Sequence, residues 1–223
     1  MPPVPTAELQ PPGAPRGVAA SGIVFSLLFA ASMVLVRLSV PADPMDTGEW
    51  LTDTRLRSWV HLGLQATPLT GIAFLWFMAS LRNRIGPLED RFLATVFLGS
   101  GLLFVALLFI ASAMSSAVVG SVLEAEGVRM SLASQRETYW FVRDLIYLLM
   151  NVFAIKMAAV FTFVTSSIGI RTGFLPRGLA WIGFVVGGVM LVSITRNAWI
   201  VLLFPLWVGL LSIYILASER RSA

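Results

Sequence analysis

Residues 145–170 read LIYLLMNVFAIKMAAVFTFVTSSIGI, an apolar run with a single charge, Lys156, near its middle. A helix rises about 1.5 Å per residue, so roughly 20 mostly apolar residues cross the hydrocarbon of a bilayer. Arg143 and Asp144 stand at one end of the run and Arg171 at the other. A soluble fold would have to bury such a run on every side, and a chain of 223 residues has little material for that. Only 13% of the residues are charged, about half the usual share in soluble domains. The run is therefore read as one span of a membrane protein.

Five more apolar runs accompany it, at about 19–40, 61–81, 92–114 (extending towards Gly120), 178–194 and 198–217. The expected fold is all-α: a polytopic integral membrane helix bundle of about six transmembrane helices within residues 18–217. Residues 1–17, with Pro2, Pro3, Pro5, Pro11, Pro12 and Pro15, read as a disordered tail, and 218–223 as a short C-terminal tail. The outer loops are expected at 41–60 and 121–140. Within them, 52–60 suggests a short interfacial helix, and the mixed charged and apolar spacing of 121–140 a helix lying on the membrane surface. Pro68 and Gly71 predict a kink in the second span, and Pro205 a bend in the last. Gly183 and Gly187, four apart, give the fifth span a smooth strip. That strip suits close packing within the chain, a homo-oligomer or a partner protein equally well.

An even number of spans puts both termini on one side. Arg82, Arg84, Arg91, Arg171 and Arg177 lie in the short loops on that side, with Arg220 and Arg221 in the tail, so the termini are expected in the cytoplasm. The formal charge of +4 is not a nucleic-acid signal, because no block of five basic residues occurs. With no cysteine and one histidine, His61, the chain offers no set of side chains for a metal or haem, and no cofactor is expected. Phosphate-binding loops, dinucleotide fingerprints, zinc-protease motifs and lipase elbows are missing from the sequence, and nothing marks an enzyme.

The run RTGFLPRGLAWIGFVVGG, Arg171 to Gly188, carries a short turn, Gly173 to Arg177, before a glycine-rich helix. It resembles a segment of a family of small bacterial, actinobacterial-like, multi-span membrane proteins of unknown function. The resemblance implies a roughly six-helix fold in the bacterial inner (plasma) membrane. It implies no activity and brings no catalytic residue.

Lys156 is the sharpest chemical feature. A lysine at mid-membrane costs about 2.5–3.5 kcal/mol on insertion scales, so its amine needs a partner, a wet cavity or a route to the interface. Asp144, twelve residues away on the same helix, is too far to pair with it. The remaining partners are hydroxyls (Ser26, Ser32, Ser112, Ser115, Ser116, Thr162), backbone carbonyls, water or an anionic ligand. Snorkelling towards the polar cluster Thr165, Ser166 and Ser167 has to cover a rise of about 13 Å, roughly twice the reach of the stem.

Arg143, Tyr147 and Asn151 recur every four residues on one face. Lys156 lies about 140° around the helix from Asn151 and leaves that stripe. His61 and Gln65, also four apart, are the natural complement, and together the five suggest an ionisable outer vestibule. Interfacial anchoring and helix–helix hydrogen bonds account for the same residues without a ligand. The leading functional expectation is a structural or accessory membrane protein that binds membrane lipids or a partner. The alternatives are a small transporter using Lys156 as its intramembrane charge, and a lipid-modifying enzyme built on His61, Tyr147 and Arg143.

Overall fold

Asp53 opens the second helix: its Oδ1 accepts from the backbone N–H of Arg55 at 2.8 Å and of Leu56 at 3.2 Å. That is the N-cap geometry, which satisfies donors a helix start leaves free. The computed structural model describes residues 14–40, 53–85, 91–125, 132–193 and 198–220. The helices are α1 (Ala14–Ser39), α2 (Thr54–Ile85), α3 (Arg91–Ala125), α4 (Leu132–Leu148), α5 (Ile155–Thr172), α6 (Arg177–Val192) and α7 (Leu203–Arg220). A π-helical turn, Leu149–Ala154, joins α4 to α5, and a 3₁₀ turn, Ala198–Leu202, leads into α7. No strand occurs among the described residues.

Five helical segments are long and apolar enough to cross a membrane: Gly17–Ser39, Thr54–Ile85, Arg91–Gly120, Tyr139–Thr172 and Trp199–Ser218. The sixth apolar helix, Arg177–Val192, is shorter. Large apolar side chains face outward in mid-helix; Trp76 is 69% exposed and Leu206 61%. In water such a surface would aggregate, whereas acyl chains are its natural solvent. The chain is an integral membrane helix bundle, as its sequence dictates.

Both outer connections are shorter than the sequence reading has them. The helix expected at 52–60 is the first part of α2 and continuous with the span, and α3 runs on to Ala125. From Leu132 the backbone is helical through to Thr172, so residues 132–140 of the helix expected on the membrane surface run continuously into the fourth span, while 121–125 close α3. Hydropathy locates only the apolar middle of a helix. Its charged extension is helical by continuity of the hydrogen-bond ladder, at little cost once the span has formed. Of the proline-rich tail expected at 1–17, residues 1–13 fall outside the described residues and Ala14–Gly17 are not a tail but the first turn of α1; residues 41–52 and 194–197 also lie outside the described residues.

Helix α1 packs along α2 and α7, and α5 along α3 and α6. Gly22 sits against Phe77 and Ser212, and Gly209 against Ser26, so α1 runs antiparallel to both neighbours. The start of α1 and the finish of α7 therefore share one end of the bundle, the terminal end. The opposite end holds the finish of α1 and the start of α2.

Aromatic rings fill the middle. Phe74 lies 4.8 Å from Phe25, 5.2 Å from Phe104, 5.1 Å from Phe161 and 5.6 Å from Phe204, centroid to centroid, and Phe97 lies 4.8 Å from Phe161. Lipid tails are as apolar as these rings, so the cluster stabilises the bundle through shape and dispersion rather than escape from water. Several buried hydroxyls are satisfied within their own helices: Thr162 donates to Ala158 O, Thr165 to Phe161 O and Ser212 to Val208 O, each at 2.8 Å, whereas the buried Ser32 and Ser166 hydroxyls have no hydrogen-bond partner among the described residues.

Helices α5 and α6 form an antiparallel hairpin around the GFLPR turn. Gly173 takes a φ of +73°, the left-handed conformation that ends α5. Leu175 folds back onto Gly169, its N–H donating to Gly169 O at 3.3 Å, and Pro176 caps α6. Above the turn, Gly183 meets Ser166 and Trp207, and Gly187 meets Phe163 and the Ala159 carbonyl. The smooth strip of α6 is thus occupied by intrachain contacts.

Candidate functional site

Helix α6 has 16 residues, a rise of about 24 Å against a hydrocarbon core of about 30 Å. The last carbonyls of any helix lack intrahelical donors, and in a short membrane helix they end where water is scarce. Val189 O is satisfied by the Ser193 N–H at 3.0 Å. Lys156 serves two more at this end: its Nζ donates to Leu191 O, and to Ser193 O at 3.1 Å. An ammonium at a helix C-terminus also meets the negative end of the helix dipole. Of the partners open to Lys156 in the sequence, backbone carbonyls are the ones it uses. Thr162 bonds within its own helix, as do Ser26, to Gly22 O at 2.8 Å, and Ser115, to Ala111 O at 2.8 Å.

One turn before Lys156 the ladder changes register. Within Leu149–Ala154 the backbone is π-helical, and the Ile155 N–H reaches back five residues to Met150 O. A π turn inserts one extra residue into the helix and often marks a site under functional demand. Asn151 lies inside it and donates through Nδ2 to Tyr147 O at 3.2 Å. The side chain thus adds a donor where the backbone pairing shifts.

Arg143, Tyr147 and Asn151 line one cavity of about 220 Å³ at the end of the bundle opposite the termini. Arg37 enters it from α1, Thr67 from α2, Ser112 and Ser115 from α3, and Asp144 stands at its exposed edge. Apolar walls come from Met33, Val36, Leu108, Met150 and Val201, with Trp199 beside them. The two guanidinium groups and one carboxylate leave the lining net positive. Arg37, Arg143, Tyr147 and Asn151 are each half-buried.

His61 and Gln65 do not join that cavity. They line a second one, of about 350 Å³, between α2 and α3, with Pro68, Phe109, Ser116 and Val119. His61 Nε2 and Gln65 Nε2 lie 3.5 Å apart. The outer vestibule expected around all five residues is divided into two chambers backed against a common wall of Leu64, Thr67 and Ser112. Lys156 lines neither.

The dividing wall has a specific origin. Pro68 has no N–H, so the Leu64 carbonyl, four residues earlier, loses its helical donor. Ser112 Oγ on α3 donates to that carbonyl across the helix pair, at 3.5 Å. Arg37 does not stand out in the sequence as part of a site, and Ser112 only as a candidate partner of Lys156, which it does not meet. No spacing rule links residues of four different helices.

Among the described residues no group of three histidine, aspartate or glutamate side chains is placed to hold a metal ion. Comparison of the chain with family models, curated proteins and solved structures finds no match.

Proposed function

We propose that the chain is a membrane-embedded binding protein for an anionic lipid, whose head group lies between Arg37 and Arg143. The supporting observation is the cavity that contains both: guanidinium, hydroxyl and amide groups in a lining that is otherwise mostly apolar. Basic pockets between membrane helices suit lipid head groups, and arginine matches a phosphate with two parallel hydrogen bonds. Tyr147 and Asn151 supply neutral polar contacts for a glycerol or similar group. No reaction is assigned.

Lys156 has no direct part in this reading. Its ammonium is engaged at the end of α6, which supports a structural role over that of a transported or substrate-binding charge. We place the protein in a bacterial plasma membrane with both termini in the cytoplasm, because Arg82, Arg84, Arg91, Arg171 and Arg177 gather at the terminal end. The cavity then opens towards the outer leaflet.

The test is competition on delipidated protein in detergent. Native mass spectrometry should show phosphatidylglycerol retained in preference to phosphatidylcholine of the same chains. Equal retention of the two would remove the proposal.

A further inference from the structure

The two chambers differ in what lines them. The first is lined by α1, α2, α3, α4, the π turn and the 3₁₀ turn before α7. The second lies along the outer side of the α2–α3 seam, where Leu62, Leu69, Phe109 and Ile110 are exposed on the lipid-facing surface. The first, at about 220 Å³, is smaller than the ~300 Å³ at which small-molecule pockets begin. The second, of about 350 Å³, lies within that range by itself, so the first gains a lipid-sized space only if the two connect. The only hydrogen bond described across their shared wall is Ser112 Oγ to Leu64 O, at the long limit of 3.5 Å.

We infer that the chambers form one site for a bilayer glycerophospholipid, which enters sideways between α2 and α3. Its head group rests on Arg37 and Arg143, and one acyl chain passes the Ser112–Leu64 contact into the second chamber and out to the bilayer. The inference rests on the proposed function and adds the route and the position of the chain. Three features support it. The positive lining complements a phosphate and lies in the first chamber. The outer chamber opens onto lipid. The wall between them is built on a carbonyl that Pro68 has already released from its helix, so parting it breaks no backbone ladder bond.

The experiment uses full-length protein and a phosphatidylglycerol carrying a photoreactive diazirine at the end of one acyl chain, with cross-linked residues mapped by mass spectrometry. Labelling is expected along Phe109–Gly120, which lines the outer chamber. It should fall about thirtyfold in Arg37→Gln/Arg143→Gln, which releases the head group. It should fall comparably in Ser112→Trp, which blocks the passage, and in Gln65→Trp, which fills the outer chamber from an exposed position and does not depend on core repacking. Labelling that none of these substitutions changes is ordinary boundary lipid and overturns the inference. Labelling that needs the arginines but ignores both tryptophans overturns the threaded route and leaves anionic lipid binding standing. No preference for phosphatidylglycerol in the wild-type chain overturns both.

Discussion

The Lys156 ammonium donates to the Leu191 carbonyl and so closes the inner end of a helix too short to reach the far membrane face. Lys156→Met leaves the carbonyls of Leu191 and Ser193 without that donor. An unsatisfied buried polar group costs about 1–3 kcal/mol. Thermal unfolding in detergent should show a loss of that order, and Lys156→Arg should restore most of it. A Lys156→Met protein as stable as wild type would mean that the amine does not hold α6.

Two glycines of α6 separate packing from backbone propensity. A Cβ at Gly183 would fall 2.8 Å from Trp207 Nε1 and closer still to Ser166 Oγ. At Gly188 its nearest neighbour would be Phe163 at 3.9 Å, ordinary contact. Gly183→Ala should destabilise by about 1–3 kcal/mol through overpacking. Ser166→Ala in the same chain should recover part of the loss. Gly188→Ala should be neutral or stabilising by up to about 1 kcal/mol, because alanine is the better helix former. Unfolding curves of the three variants check the contrast, and equal effects at 183 and 188 would contradict it.

Pro68 and Ser112 form a pair suited to a double-mutant cycle. Ser112→Ala removes the donor to Leu64 O, and Pro68→Ala returns the helical N–H that the carbonyl lacks. The loss from Ser112→Ala should be smaller in the Pro68→Ala background, with a coupling of about 0.6 kcal/mol, the average for hydrogen bonds between membrane helices. Additive effects would show that the contact does no energetic work.

Phe74 is in ring contact with Phe25, Phe77, Phe104, Phe161 and Phe204. Phe74→Ala should cost about 3–5 kcal/mol, the range for large aromatic truncations in a core. Phe74→Leu should cost less. Because the reference state is itself apolar, the loss reports cavity formation, and unfolding in detergent measures it directly.

How far the sequence carries the argument depends on which atoms do the work. Side-chain hydropathy reports the lipid-facing and core-facing runs, so the membrane bundle and the hairpin at Gly173 to Arg177 are legible. The four-residue recurrence of Arg143, Tyr147 and Asn151 holds across the start of the π turn, and those three do share a cavity. The partners of Lys156 are not legible, because they are main-chain carbonyls at the end of another helix and every residue carries one. The π turn leaves no compositional mark in LMNVFA. The division of the vestibule comes from Pro68 acting on Leu64 and from Ser112 on a different helix, a relation across 48 positions. Arg37 shows its place only once α1 and α4 are set around one space.

The arginine pair carries the account's central claim, and the most direct measurement is anionic lipid retention in Arg37→Gln/Arg143→Gln. A basic side chain near an anionic surface contributes about 1 kcal/mol, so losing two should weaken phosphatidylglycerol binding about thirtyfold. Phosphatidylcholine retention and thermal stability should stay near wild type. Native mass spectrometry of delipidated protein titrated with each lipid gives both numbers in one series. A selective loss of the anionic lipid is the predicted result. Unchanged phosphatidylglycerol binding in a folded double variant would contradict the account.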